Sequence, residues 1–129
     1  MAASIIRSNP PAVRQPTGYA HAIEIKAPDR WLVISGQVGL APDGTLPETG
    51  GGQITQTLAN LRAVLEANGM DASNIVKTTV FLTDRALLGA FRAARTSLLG
   101  DNTPASTLLF VSGLADPRFV VEIEALAVA

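Results

Sequence analysis

The chain has 129 residues and a formal net charge of −1, and it contains no cysteine and a single histidine. The lack of cysteine excludes disulfides, thiol nucleophiles and cysteine-based metal sites, and one histidine argues against a histidine metal site within one chain. An acidic balance without a run of lysine or arginine argues against sequence-independent binding of nucleic acid, because such binding needs several cations to neutralise phosphates.

The length and hydrophobicity indicate one domain over residues 1–129 with a buried core. The apolar runs are far shorter than a membrane span, and the proline-broken start is too short for a signal peptide. We therefore expect a cytoplasmic protein in which residues 1–16 form an extended N-terminal arm. Hydrophobic residues make up 47% of the chain and charged residues only 16%. That imbalance predicts an oligomer, since a small chain has difficulty covering so much apolar surface alone.

The first half of the chain predicts strands followed by a helix. We expect strands over 19–26, 31–36 and 37–41, a turn at 42–44 and a loop at 48–52. A helix is predicted over 53–68, because Ile54, Leu58, Leu61 and Leu65 recur at steps of four, three and four.

The second half of the chain predicts a strand, a helix and two further strands. We expect these elements over about 75–84, 86–99, 105–112 and 119–129. In the second helix, Leu87, Phe91, Ala94 and Leu98 form one apolar stripe. The order of elements predicts an α+β fold in which both helices cover one face of a single sheet.

The last predicted strand carries two acidic residues, Glu122 and Glu124, within an apolar run. Successive residues of a strand point to opposite faces, so both glutamates share one face while Val121 and Ile123 share the other. Two interpretations remain open at this point. The glutamates form a solvated sheet face, or one of them lines a pocket where a carboxylate can act as a general acid or base.

Three other features fit structural roles better than catalytic ones. The triple glycine at 50–52 precedes a helix, where phosphate can bind, but it lacks the Lys-Ser/Thr of a Walker loop, so a flexible loop is preferred. His21 is interpreted as a hydrogen-bonded residue near an oligomer surface. The arginines of the second helix are expected mainly on a solvated face: Arg85, Arg92 and Arg95. Arg95 flanks the apolar stripe and is the one expected near an interface.

Six stretches resemble one known family in family order. They are GYAHAI at 18–23, ISGQV at 34–38, QTLANLRAVLEANG at 56–69, NIVKTTVFLTD at 74–84, PAST at 104–107 and VEIEALAV at 121–128. Together they resemble the Rid (YjgF/UK114) family, whose archetype is an enamine/imine deaminase. The resemblance implies a chorismate-mutase-like fold and a homotrimer whose sheets form a central barrel. It also implies pockets between subunits and hydrolysis of a reactive imine or enamine, with no metal or organic cofactor.

The same resemblance implies which residues form the pocket. Glu122 matches the family glutamate that positions or activates water, whereas Glu124 is expected to be a support or a solvated neighbour. Tyr19 matches a pocket tyrosine, and Ser35 matches the serine of the family's SGQ motif. We therefore expect Glu122 to face a cleft between subunits.

The chain departs from the family pattern at PAST. Deaminating members carry an arginine that binds the substrate carboxylate where this chain has Ser106, and Leu108 stands where members often have a small or sulfur side chain. Since Ser106, Leu108 and Phe110 share a predicted strand face, we expect a less cationic and more apolar pocket. Arg95 or Arg118 of a neighbouring subunit is a possible substitute for the missing cation.

The resemblance leaves three functions to consider. The preferred hypothesis is a hydrolase for an imine or enamine other than simple 2-aminoacrylate. The alternative is a non-catalytic homotrimer that binds a small metabolite. A ribonuclease is disfavoured by the acidic charge, the lack of a histidine pair and the lack of a basic stripe.

Overall fold

The computed structural model describes residues 4–129. The described strands and α-helices are, in chain order, β1 (Ser4–Ser8), β2 (Ala22–Lys26), β3 (Trp31–Gln37), α1 (Gly50–Ala67), β4 (Ile75–Leu82), α2 (Leu88–Leu99), β5 (Ala105–Phe110) and β6 (Val121–Val128). Short 3₁₀ turns at Ala72–Asn74 and Arg85–Leu87 lead into β4 and α2. The second helix therefore begins slightly later than predicted.

The main sheet has the strand order β3-β6-β4-β5. β6 runs antiparallel to both β3 and β4, whereas β4 and β5 are parallel and are joined through α2. A crossover helix is the usual way to connect parallel strands. The predicted α+β fold, with a β-sheet and two helices, is therefore confirmed, and the main sheet is mixed.

The N-terminal segment is more ordered than the sequence indicated. Residues Ser4–Ser8 lie in the predicted extended arm, but they form β1, which pairs antiparallel with β2 in a separate two-stranded sheet. The predicted strand over 19–26 is shorter than expected, since β2 begins at Ala22. Before it, Ala20 forms an isolated parallel bridge with Ala105, and its backbone N donates to Pro104 O at 3.1 Å.

Both helices cover the same face of the main sheet. The periodic residues of α1, namely Ile54, Leu58, Leu61 and Leu65, are all buried as predicted. They belong to one core cluster with Phe91 and Leu98 of α2 and with Val80 and Ile123 of the sheet. We call this side of the sheet the covered face. Its burial is the main source of stability in a fold of this size.

The triple glycine is helical, so the prediction of a flexible loop at 48–52 was wrong. Helix α1 begins at Gly50, and the side chain of Thr49 caps it by accepting a hydrogen bond from Gly52 N at 3.0 Å. A Cβ atom at Gly50 would lie 2.5 Å from Leu87 Cδ2, and one at Gly52 would lie 2.9 Å from Pro47 Cβ. These glycines therefore let the first turn of the helix pack closely against its neighbours.

The predicted strand over 37–41 does not form. β3 continues through Gln37, and the chain then leaves the sheet. Asn60 of α1 donates from Nδ2 to the carbonyl oxygens of Val38 and Leu40, both at 2.8 Å. The side chain thus satisfies backbone acceptors that a neighbouring strand would otherwise bond. The following turn is present as predicted, with Gly44 N donating to Ala41 O at 2.8 Å.

The opposite face of the main sheet is not covered by the helices, and we call it the open face. From the strand registers, it includes Trp31 and Val33 of β3, Glu122, Glu124 and Leu126 of β6, Thr79 and Phe81 of β4, and Leu109 of β5. Trp31 is 57% exposed, Val33 76% and Leu109 46%. Several large apolar side chains on one sheet face are typical of a surface that meets a partner.

Within residues 4–129, no helix has the length and apolar character needed to cross a membrane.

Candidate functional site

A cleft of about 280 Å³ lies between α2, the start of β5 and the segment that precedes β2. We call it the α2 cleft, and its lining residues are Thr17, Tyr19, Phe91, Arg92, Arg95, Ser106 and Leu108. Three of the five predicted site residues therefore lie together: Tyr19, Ser106 and Leu108.

The position of Ser106 follows from the pairing of β5 with β4. Ser106 lies opposite Thr78 and Leu108 opposite Val80, so both β5 residues point to the covered face. This confirms that they share a strand face, as the alternation predicted. Thr78 Oγ1 donates to Ser106 Oγ at 3.0 Å, which orients the serine hydroxyl at the wall of the cleft. The bond between Ala20 and Pro104 holds the neighbouring Tyr19 beside the start of β5.

Arg95, the one arginine of the second helix expected near an interface, also lines this cleft. It lies one turn after Phe91, so both residues project from the same side of α2. Its guanidinium group packs directly over Gly18, where φ is +78° and a Cβ atom would overlap Arg95 Nη2. Burial, and then the positive charge of nearby Arg92, lower the pKa of Arg95. A guanidinium group nevertheless remains protonated in proteins.

Glu122 lies on the open face instead. It is opposite Phe81 in the register of β6 with β4, and its side chain is partly exposed. The carboxylate packs over Gly36, where a Cβ atom would lie 2.6 Å from Glu122 Oε2. Ser35 is exposed and directly precedes this glycine, at an irregularity in the pairing of β3 with β6. We call Ser35, Gly36 and Glu122 the glutamate patch.

The predicted site residues are therefore divided between the two faces of the sheet. Ser106 belongs to the covered face and Glu122 to the open face, so the sheet itself separates them within one chain. Residues that face opposite sides of a strand pair cannot contact one small ligand. A single chain supplies the cleft and the carboxylate but does not bring them together.

The remaining candidates lie in structural contacts. His21 Nε2 is 2.6 Å from Arg14 O, and its ring packs edge-on against Tyr19 with a centroid separation of 5.4 Å. Arg118 pairs with Asp116 at 2.8 Å, and its side chain is 69% exposed. The hydrogen bond from Arg118 lowers the pKa of Asp116 to about 2. Arg118 is thus engaged by a carboxylate of its own chain, in contrast to Arg95.

A larger cleft of about 410 Å³ lies near the end of α1, with Arg62, Glu66 and Asp71 among its lining residues. It contains none of the predicted site residues. Across the part of the chain that the structure describes, no group of three or more histidine or acidic residues is placed to hold a metal ion.

Phe91 and Arg92 line the α2 cleft but were not predicted as site residues from the sequence. The spacing of Phe91 and Arg95 by four residues was the available signal, because it puts both on one helix face. Nothing local indicated that this face would meet the segment around Gly18, since that contact joins residues far apart in the chain.

Comparisons with known proteins agree on one family. The family model described as Endoribonuclease L-PSP matches residues 10–129. A 2-iminobutanoate/2-iminopropanoate deaminase of Mus musculus is 37% identical over 131 residues, covering 97% of this chain and 93% of the relative. The protein of that name from Escherichia coli (strain K12) is 32% identical over 133 residues, covering 99% and 98%. A crystal structure of YyfB from Yersinia pestis, a Rid family protein of unknown function, has a TM-score of 0.86, with 31% identity and 100% of both chains covered.

Proposed function

Because the chain belongs to the Rid family, the family of the Endoribonuclease L-PSP model, we propose that it hydrolyses a small imine or enamine to a carbonyl compound and ammonia. Relatives named as deaminases of 2-iminobutanoate and 2-iminopropanoate, at 37% and 32% identity over almost the whole chain, support this reaction class.

The observation that carries the proposal is the division of the site between two sheet faces. The α2 cleft holds Tyr19 and Ser106, while Glu122 lies on the open face beside exposed Val33 and Trp31. An apolar face of this kind favours association with further copies of the chain. We infer a homotrimer in which the glutamate patch of one subunit faces the α2 cleft of the next, so that each active site forms between two subunits.

In this arrangement, Glu122 acts as the general base. It accepts a proton from a water molecule as the water oxygen bonds to the imine carbon, and the C=N double bond becomes a single bond. The nitrogen takes up that proton, which gives a neutral carbinolamine. Glu122 then accepts the proton of the carbinolamine hydroxyl and passes it to the nitrogen, so that the C–N bond breaks, ammonia leaves and the carbonyl group forms. An enamine enters the same path after its carbon is protonated. No step requires a redox change, so water is the only co-reactant.

The residues that line the α2 cleft indicate which kind of substrate fits. Ser106 offers one neutral hydroxyl, already hydrogen-bonded to Thr78, and Phe91 and Leu108 add apolar surface. We infer a substrate other than simple 2-aminoacrylate, one with a side chain that contacts this apolar wall.

The test measures release of 2-oxo acid and ammonia from imines generated during the assay by an amino-acid oxidase. The panel contains 2-iminobutanoate, the imine of leucine, and 2-iminopropanoate, which is the imine tautomer of 2-aminoacrylate. Wild-type protein should accelerate hydrolysis above the spontaneous rate, and Glu122→Gln should lower the catalysed rate by roughly a hundredfold or more. Glu124→Gln is the matched control, since Glu124 is exposed on the same strand face and should tolerate the change.

Two results would count against the proposal. Full activity of Glu122→Gln would exclude the glutamate as the base. Wild-type protein that binds the 2-oxo acids but never exceeds the spontaneous rate would favour a non-catalytic metabolite-binding trimer.

A further inference from the structure

The α2 cleft carries an unbalanced positive charge. Its lining residues include two arginines, Arg92 and Arg95, and no aspartate or glutamate. The whole chain, by contrast, has a net charge of −1. A concave site lined by one sign of charge attracts ligands of the opposite sign. The cleft is therefore more cationic than the sequence predicted, and its charge selects for an anion.

Arg95 is the better placed of the two cations. Its side chain lines a small gap of about 20 Å³ among Leu58, Val80 and Ile123, so the residue is partly buried against the core. The guanidinium group lies between Gly18 and the cleft. Arg92, in contrast, is exposed. Packing of the Arg95 side chain restricts its rotamers, which reduces the conformational entropy lost when a ligand binds to the guanidinium group.

The charge of Arg95 is not satisfied within the chain. In the described residues 4–129, its guanidinium group takes part in no hydrogen bond and no ion pair, whereas Arg118 pairs with Asp116. A partly buried cation without a counter-charge is unfavourable, because burial removes water from the charge. The lowered pKa of Arg95 has this same cause. An anion bound in the cleft would restore the lost interaction.

We propose that Arg95 binds the carboxylate of a small 2-imino or 2-oxo acid in the α2 cleft, with the hydroxyl groups of Tyr19 and Ser106 beside it. The inference rests on the proposed function for the identity of the acid. A guanidinium group matches a carboxylate through two parallel charge-assisted hydrogen bonds. The cleft, at about 280 Å³, lies just below the size range of drug-sized pockets, which suits a ligand of few atoms.

Gly18 helps to position the guanidinium group of Arg95. Its left-handed backbone and missing side chain leave the space that the guanidinium group occupies. Gly18→Ala would push Arg95 out of position. Gly44→Ala is a matched control, since Gly44 also has a positive φ, +88°, but a Cβ atom there meets nothing within 4 Å. Both variants carry backbone strain, and only the first disturbs Arg95.

The experiment titrates the intact protein with 2-oxobutanoate and with its neutral methyl ester, followed by NMR or calorimetry. Wild type should bind the acid more tightly than the ester. Arg95→Gln should weaken binding of the acid by roughly ten- to a hundredfold and leave the ester almost unchanged. Arg95→Lys should recover part of the affinity, because it keeps the charge but not the planar fork. Arg62→Gln is the control: it removes one positive charge from the larger cleft near the end of α1 and should not change the affinity for the acid.

The outcomes separate this inference from the proposed function. Equal binding of acid and ester by wild type, or unchanged acid binding in Arg95→Gln, overturns the role of Arg95 even if the protein is an active hydrolase. Loss of both ligands in Gly18→Ala and Gly44→Ala alike also counts against it. Conversely, Arg95-dependent binding in a protein that hydrolyses no imine supports the anion site and refutes only the hydrolase.

Discussion

Mixing two separately inactivated variants tests whether one active site draws on two chains. Glu122→Gln removes the carboxylate of the glutamate patch, and Arg95→Gln removes the cation of the α2 cleft. In a cyclic trimer, every interface joins unlike surfaces, here the patch of one subunit and the cleft of the next. When equal amounts assemble at random, about one quarter of the interfaces pair an intact patch with an intact cleft. The mixture should therefore regain about a quarter of wild-type activity, as expected for such pairing.

The assay is release of 2-oxo acid by the whole trimer population from equal co-expression of two chains with different affinity tags, and purification of a portion through both tags shows that mixed trimers have formed. Ser106→Trp, which fills the cleft, provides a second cleft variant that does not depend on the role of Arg95. Wild type mixed with the double variant Glu122→Gln/Arg95→Gln gives a further distinction. It should retain about a quarter of the activity if sites are shared between chains, and about half if each chain holds its own site.

One result would refute the reasoning. If tandem purification confirms mixed trimers and the two single variants together show only the mean of their separate activities, the patch and the cleft do not act on one ligand. The division of the site between two sheet faces would then have no catalytic meaning.

Two further predictions concern assembly and stability. Val33→Asp should shift the protein towards monomers in sedimentation equilibrium and increase the dissociation constant more than about tenfold, because it replaces apolar burial worth roughly 1.5–3 kcal/mol with a charge. Val13→Asp, in the N-terminal segment, is the control and should not change the mass. An unchanged mass for Val33→Asp would exclude the open face as the interface. Gln53→Ala should lower the free energy of unfolding by about 1–3 kcal/mol in denaturant titration, because buried Gln53 donates to Arg118 O and accepts from Val120 N, both at 3.0 Å. Gln56→Ala, which loses one bond to the Asn60 side chain, is its control, and equal losses would mean that the bridge from Gln53 to the segment before β6 adds nothing.

The local periodicity of the sequence was sufficient for most of the fold. The steps of four, three and four in α1 identified its buried residues, and alternation in β6 separated Glu122 from Ile123. Both patterns depend only on residues close in the chain, since a helix and a strand repeat their side-chain directions at fixed spacings. The glycines at 50–52 predicted a loop wrongly, because Gly50 and Gly52 serve the close packing of Leu87 and Pro47 against the first turn of a helix.

The two sides of the site required the tertiary structure. In β5, apolar residues occur on both faces, with Leu108 and Phe110 on one and Leu109 on the other, so alternation alone does not say which face the helices cover. Only the pairing of Ser106 with Thr78 assigns the serine to the covered face, opposite Glu122.

The partial burial of Arg95 could not be predicted from the sequence either. Its sequence neighbours indicate a helix flank, but its partial burial comes from Gly18, which lies at the far end of the chain and approaches α2 because Ala20 pairs with the start of β5. Local sequence thus determined what each element is and which of its residues share a face. Long-range pairing decided which faces meet, and therefore which charges lose water and need a partner.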